Sequence, residues 1–419
     1  MKKQNLVDLI EGSLPRDRLE LLPLLTRQAS MLRTPLYLVG GVVRDILLKR
    51  AVNDFDLVVE GDAIKLARSL ASLHGGKVTA NSKFGTAKWF LPHSLASLAG
   101  AHEVLDIISA RSETYKHPAA LPTVKLGGIE DDIRRRDFTI NALAIRLDGA
   151  HYGELRDDLS GMDDLEHRII RVLHPGSFID DPTRMYRAVR YEKRYKFNIA
   201  EDTLALIPAA RALVENLSPQ RIRHELELIL DEPNAISMLT RLDELELLAV
   251  IHPSLSKFGQ SNLARLGTDD AAIHNRDSRW LLWLMHLTEQ EIQFLNERLH
   301  FTADLLKMLL SGASLYSNLT ALTGLKPSQC VELLDGHSLR AIETIQHVLP
   351  DEKIRNKLSK YLSEWRHVKP RTTGHDLKER GIEPGPTYAE ILRRLRAAWL
   401  DGEVTSREEE EVMLAKLTQ

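Results

Sequence analysis

The chain has 419 residues, more than one compact core accommodates, so two to four domains are expected. It is 43% hydrophobic, 27% charged and only 5% aromatic, with a formal net charge of -3, which excludes wholesale electrostatic coating of a polyanion but not a local basic stripe. Cys330 is the single cysteine, which excludes an intramolecular disulfide and any cysteine-based zinc site. No apolar run approaches the ~20 residues of a membrane span, and the start "MKKQNLVDLIEGSLPRDRLELL" is too acidic and broken for a signal peptide. A cytoplasmic protein with no membrane partner is expected.

Taken in chain order, residues 1–34 place Leu and Ile at helical spacing. From 35 to about 150 the texture is mixed α/β. Short apolar runs ("LYLVG", "DFDLVVEG", "GKVTA", "TAKWFL", "HEVLDII", "NALAIRL") alternate with helical stretches ("VVRDILLK", "DAIKLARSLASLH"). Beyond about 155 strand signals nearly vanish, and successive amphipathic helices are predicted to the end of the chain. "SPQRIRHELELIL" carries a good helix start, with Ser218 as N-cap and Pro219 at the first helical position. Joints are predicted near 150–160, near 231–235 ("DEPNA") and within 325–375.

Asp54 and Asp56 stand one residue apart in an apolar run. On a strand, residues i and i+2 share a face, so the two carboxylates lie side by side. Buried without partners, each charge costs several kcal/mol. A divalent cation is the simplest neutraliser, and carboxylates with few other ligands suit Mg²⁺. A bare Asp-x-Asp is more often a solvated strand end, but three neighbours change the weighing. Gly40 and Gly41 follow one strand and open a helix, where backbone N–H groups can approach phosphates. Arg44 sits in the first turn of that helix, where an anionic ligand would offset its unfavourable meeting with the dipole. Asp106, in "VLDIISAR", supplies a third carboxylate from another apolar run. Two metal ions on three such acids would clamp the attacking and leaving oxygens of a phosphoryl displacement, which points to nucleotidyl transfer.

At this point the sequence resembles the class II tRNA nucleotidyltransferases and related bacterial poly(A) polymerases of the polymerase-β nucleotidyltransferase superfamily. "LVGGVVRD…DFDLVV" is similar to the family's metal-binding motif, and "RRRDFTINALAI" (Arg134–Ile145) to its second motif. "LRDDLSGMDDL", "DDPTRMYRAVRYEKRY" and "SPQRIRHELELIL" resemble the third to fifth, and "TTGHDLKERGIEPGPTYAEILRRL" resembles a motif of the C-terminal tail. The resemblance implies an α+β architecture. A polymerase-β-like head with a mixed sheet (1–150) would precede an all-α neck (151–235), body (236–330) and tail (331–419). It implies metal ligands at Asp54, Asp56 and Asp106, with Mg²⁺ as cofactor. It places triphosphate contacts at Gly40, Gly41, Arg44 and Arg136, and ribose contacts at Asp137 and Asn141. Asp181 and Arg184 fall on the pair that reads the incoming CTP or ATP base in this family. An ionised Asp only accepts and Arg only donates, so cytosine and adenine edges suit the pair, whereas uracil would turn an acceptor toward Asp181.

Arg184, Arg187 and Arg190 recur every three residues, with Arg194 four later, on or near one face. Such a face is usually a solvated one. Directly after "DDPTR" it is read as nucleotide-binding. Departures from the family pattern are Asp180 where Glu is usual, and "DDLSG" where Asp-Pro-Phe-Gly-Gly is usual. "RSETYKHPAALPTV" replaces the commonest loop with a variant that resembles CC-adding or A-adding enzymes. The expected partners are tRNA, CTP and ATP, and the expected state is a monomer or weak dimer. Local basic tracks for tRNA are sought in the neck arginines, in Lys369–Arg380 and in Arg393–Trp399. Full CCA addition, CC or A addition alone, and polyadenylation stay open. A catalytically inactive RNA-binding protein is the rival from another class, and the three acids weigh against it.

Overall fold

The structure is a computed structural model and describes residues 6–52, 55–96, 104–120, 122–257 and 275–418. It divides into two compact units, Met1–Ser218 and Pro219–Gln419. The first carries the sheet, the second is helical, and the expected α+β class holds.

In the first unit, α1 (Val7–Ser13) and α2 (Arg16–Met31) precede β1 (Leu36–Val39), α3 (Gly41–Leu47) and β2 (Leu57–Val59). Then come α4 (Ala63–His74), β3 (Lys77–Asn81), β4 (Thr86–Phe90), α5 (His93–Ala96) and β5 (Val104–Ser109). The hairpin β6 (Arg111–Thr114) and β7 (Thr123–Leu126) is followed by α6 (Ile129–Arg134), β8 (Ala144–Arg146) and β9 (Leu155–Arg156). One seven-stranded sheet runs in the order β3-β4-β5-β2-β1-β8-β9. Its β2–β5 pair is parallel, in the register Leu57↔Ile107, and its other pairs are antiparallel.

Strand alternation sends Leu36, Leu38, Leu57, Val59, Leu105 and Ile107 into a core shared with α1 to α4. The intervening Tyr37, Val39 and Val58 face the opposite side, against Ile129 and Ile133 of α6. All six apolar runs expected as strands in this region contribute one. The β6–β7 hairpin was not expected as strand. Its residues alternate poorly, and most are at least partly exposed.

After α7 (Gly161–Glu166), two-residue strands β10 (Ile169–Ile170) and β11 (Asn198–Ile199) pair in parallel around α8 (Ser177–Asp180) and α9 (Thr183–Tyr195). α9 buries Met185, Tyr186, Ala188, Val189, Tyr191 and Tyr195, an amphipathic stripe at helical spacing. Asp181, two residues before the helix, accepts on Oδ1 from the Thr183 amide at 3.0 Å and hydroxyl at 2.6 Å.

The second unit opens with the helix expected from "SPQR", which runs Pro219–Leu230. Trp280 and Trp283 are fully buried in its core. Near the C-terminus Glu410, 1% exposed, accepts from the amides of Arg371 (2.9 Å) and Thr372 (2.6 Å) and from the Trp399 indole (2.5 Å). Several arginines of the basic tracks sought in this unit pair within it. Arg393 bonds Glu390 and Glu332, Arg396 bonds Asp335 and the Val368 carbonyl, and Arg380 pairs with Glu411. Among the described residues no helix is long and apolar enough to cross a membrane.

Candidate active site

Asp56 directly precedes β2, and Asp106 lies in β5. Each stands one residue before the Leu57↔Ile107 partners of the parallel pair, so the two are neighbours across adjacent strands, about 4.8 Å apart at the backbone. By alternation both project on the face of Val58 and Ile108, away from the larger core. Asp106 is half exposed, with Lys88 Nζ at 3.4 Å. The Asp56 carbonyl accepts from the Val39 amide at 3.3 Å, which joins the acid to the strand that ends at the glycine turn. Asp54 lies outside the described residues. Among those described, no group of three His, Cys, Asp or Glu side chains could hold a metal ion.

At the turn, Gly40 has φ +73°, a conformation L residues rarely adopt, and a β-carbon there would collide with the Arg136 guanidinium. Arg44, only 5% exposed, is drawn inward rather than left open at the helix start. Its Nε and Nη2 donate to Asp45 at 3.0 and 3.1 Å, and Nη1 donates to Asn141 Oδ1 at 2.5 Å. The guanidinium lies 4.4 Å from the ring centre of Tyr195 and 5.3 Å from that of Tyr191. Asn141 Nδ2 in turn donates to Asp137 Oδ1 at 2.9 Å, and Arg187 Nε donates to Asp137 Oδ2 at 2.8 Å. Arg187 Nη2 continues to the Tyr191 hydroxyl at 2.9 Å. One polar chain therefore runs from the helix after the glycine turn, through the second motif, to α9.

Burial alone would push the Asp137 carboxyl up, but the Arg187 charge and the Asn141 and Arg187 hydrogen bonds outweigh it and hold the group near about 2, against an ordinary 3.8. The folded value is depressed, so its stabilisation is present above about pH 3.8 and is lost as pH falls toward 2. Asp137→Asn should therefore lower stability by about 2 kcal/mol at neutral pH, with a gap to wild type that narrows on acidification through this window. Urea midpoints at pH 7 and pH 3 test it, and a gap of constant size would contradict the linkage.

The second motif also holds an ion cluster. Asp132, fully buried on α6, takes Arg135 Nη2 at 2.7 Å and Arg136 Nη2 at 2.8 Å. Burial opposes its charge, yet the two guanidiniums hold its carboxyl below the ordinary range. Arg135 Nη1 continues to Glu113 of the β6–β7 hairpin at 3.2 Å, and Glu113 also accepts from Arg111 at 3.0 Å and Tyr115 at 3.3 Å. The Arg135 carbonyl accepts from Arg184 Nη2 at 2.9 Å, while Arg184 Nη1 donates to Ser177 Oγ at 2.7 Å. Arg184 Nη1 also reaches the Ser177 carbonyl at 3.5 Å, whereas Nη2 has two N–H groups and one acceptor. Tyr115 is pushed up to about 12, first by burial, and the charges of Arg184, Glu113 and Asp181 reach it. Arg135 therefore joins the hairpin's Glu113 to Arg184. Arg190, 6% exposed, lies with its guanidinium 5.5 Å from the Tyr191 ring centre.

Asp45, Glu113 and Asp132 are organising residues that motif reading passes over. For Asp132 a signal exists: an acid three and four residues ahead of two arginines on a helix. For Glu113 none does, because its partner Arg135 lies 22 residues away.

Comparison with known proteins follows the same outline. Residues 36–171 match the poly A polymerase head domain, and residues 196–258 match the probable RNA and SrmB-binding site of polymerase A. The A-adding tRNA nucleotidyltransferase of Halalkalibacterium halodurans is 34% identical, over 97% of this chain and 94% of that protein. The A-adding tRNA nucleotidyltransferase of Geobacter sulfurreducens is 32% identical over 98% of this chain, which spans about half (48%) of that longer relative. In structure, the Thermotoga maritima CCA-adding enzyme complexed with tRNA superposes with a TM-score of 0.75 at 28% identity, covering all of both chains. On the motifs, the fold and a full-length relative, the chain belongs to the class II CCA-adding enzyme and bacterial poly(A) polymerase family of nucleotidyltransferases.

Proposed function

We propose that this enzyme transfers a single AMP from ATP to the 3′ end of tRNA that already carries CC. The observation that carries this reading is the near full-length kinship with an A-adding tRNA nucleotidyltransferase, at 34% identity. The "RSETYKHPAALPTV" variant supports it, with its Glu113 joined to Arg184 through Arg135. An Asp–Arg pair alone serves cytosine and adenine equally, so the choice between them must come from what surrounds the pair.

In this reading the 3′-hydroxyl of the tRNA attacks the ATP α-phosphate and pyrophosphate leaves. Asp54, Asp56 and Asp106 would hold Mg²⁺. Their donor set of carboxylate oxygens fits a hard cation, and Asp56 and Asp106 stand side by side. When bound, the metal supplies charge neutralisation at the reacting phosphate. The Gly40–Gly41 backbone and Arg136 receive the triphosphate beside Arg44. Asp137 and Asn141 fix the ribose, and their pre-formed hydrogen bond means little ordering is needed on binding. Asp181 and Arg184 meet the base, with Arg187 and Arg190 behind them on α9.

Product length tests the reading. With ATP and a tRNA ending in CC, the expected product is longer by one nucleotide. A ladder of added adenylates would assign the chain to polyadenylation instead.

A further inference from the structure

The sheet face that carries Asp56 and Asp106 continues past them onto β4 and β3. Alternation divides the side chains of these strands. Ala87, Trp89, Leu105 and Ile107 go into the larger core. Lys88 and Phe90 point the other way, and both are exposed. The register sets Lys88 opposite Asp106 on one side and opposite Thr79 on the other, and it sets Phe90 opposite Lys77. Thr79 and Lys77 are exposed as well. Lys88, Phe90, Thr79 and Lys77 therefore form one open surface directly beside the acids.

The charge of this surface is one-sided. From Gly75 to His102 the sequence holds Lys77, Lys83 and Lys88 and no Asp or Glu, in a chain whose net charge is -3. The acid next to Lys88 is Asp106, on the following strand. Lys88 Nζ lies 3.4 Å from Asp106 Oδ1, with the two side chains 60% and 50% exposed. An ion pair this open contributes little to stability. The ammonium carries three N–H donors, so one carboxylate does not exhaust it. Nor does the pair account for Phe90, which is 38% exposed with Lys77 across from it.

Strand order gives this surface a direction. The Val39 amide bonds the Asp56 carbonyl, which sets the end of β1 and the glycine turn level with the acids. Neighbouring strands then run β1, β2, β5, β4, so Asp56 and Asp106 lie between the glycine turn and Lys88. At about 4.8 Å per strand, Lys88 stands about 14 Å from β1 at the backbone. In phosphoryl transfer the attacking and leaving oxygens are roughly in line. Pyrophosphate leaves on the side of the glycine turn, so the attacking 3′-hydroxyl arrives from the side of β4. A single RNA strand is held by cations at its phosphates and by an aromatic ring under a base, and this face offers both. We infer that the exposed face of β3 and β4 holds the single-stranded 3′ end of the tRNA, with Lys88 and Lys77 on its phosphates and Phe90 stacked on a base. The inference rests on the reading of Asp56 and Asp106 as the acids of the reaction and of Gly40–Gly41 as the triphosphate turn.

The test uses the full chain with a tRNA ending in CC and with the same tRNA lacking those two nucleotides. Lys88→Ala is expected to raise Kd and KM for the tRNA ending in CC about fivefold, with the ATP KM within about twofold of wild type. In Lys77→Ala/Lys88→Ala the slope of log Kd against log salt should fall by about 1.4, two contacts at about 0.7 each for a single strand. Lys88→Arg should regain most of the affinity. Phe90→Ala should cost about tenfold in Kd and Phe90→Tyr little, because a ring is kept. Lys65→Ala removes the same charge from α4, which packs on the opposite side of the sheet, and should leave Kd unchanged. Each substituted side chain is exposed, so the variants are expected to fold. An unchanged Kd and salt slope for the tRNA ending in CC would overturn the inference. So would an equal loss on the shortened tRNA, which would place the contacts on its base-paired part, or a raised ATP KM with normal tRNA binding, which would give Lys88 to the triphosphate. Failure of the acid assignment looks different: Asp56→Asn and Asp106→Asn would then keep their turnover, while the Kd comparison still decides the β3–β4 face.

Discussion

Replacing Asp56 with Asn is expected to lower turnover on tRNA by about a thousandfold or more while tRNA affinity stays within about threefold. The strand register sets Asp56 next to Asp106, on the face shared with Val58, and the Val39 amide ties it to the strand that leads into the glycine turn. Charge stabilisation at a transferring phosphoryl group is worth several kcal/mol, and about 4 kcal/mol corresponds to a thousandfold in rate. An Asn keeps the shape and removes the anion, so the loss falls on chemistry and not on RNA binding. Asp106→Asn and Asp54→Asn should behave alike. Single-turnover incorporation over a Mg²⁺ titration measures the effect. Retention of more than a tenth of wild-type turnover by Asp56→Asn would remove this acid from the reaction.

Asp132→Ala should destabilise the first unit by about 4 kcal/mol and lower its melting midpoint by about 10 °C. Asp132 is fully buried and neutralises two guanidiniums, Arg135 and Arg136, that are themselves only 17% and 14% exposed. Removing it leaves Arg136 without this carboxylate and Arg135 with Glu113 alone, in a poorly solvated place, which costs far more than an exposed ion pair is worth. Asp131, one residue earlier and exposed, only caps the helix through the Gly128 amide at 3.1 Å, so Asp131→Ala should lose much less. Calorimetry on the two variants makes the comparison. Similar midpoints would mean that the buried cluster carries no more than a surface acid does.

Much of this site is legible in the sequence because its parts are local. The Asp-x-Asp spacing, the glycine pair and "RRRDFTINALA" each report one turn or one strand. Alternation then sends Asp56 and Val58 to the same face with no further information. Connections between distant segments are not legible. Arg44 reads from its position as an anion ligand, yet its partners are Asp45 beside it and Asn141, 97 residues away. The β6–β7 hairpin resisted reading for a related reason. Its strands are short and mostly exposed, so no apolar alternation marks them, and Glu113 is fixed by Arg135 from another element. The basic tail shows the same limit: in "RRLRAAW" the Arg393–Glu390 pair is one helical turn and can be read locally, but the pairs to Glu332 and Asp335, 61 residues away, cannot.

The central claim, addition of A alone, is tested most directly by kcat/KM for CTP and for ATP on three tRNAs, ending in the discriminator base, in C, and in CC. The account predicts efficient use of ATP on the tRNA ending in CC and negligible use of CTP on either shorter tRNA. Efficient CTP incorporation on the two shorter tRNAs, followed by A addition, would contradict it and make the chain a complete CCA-adding enzyme.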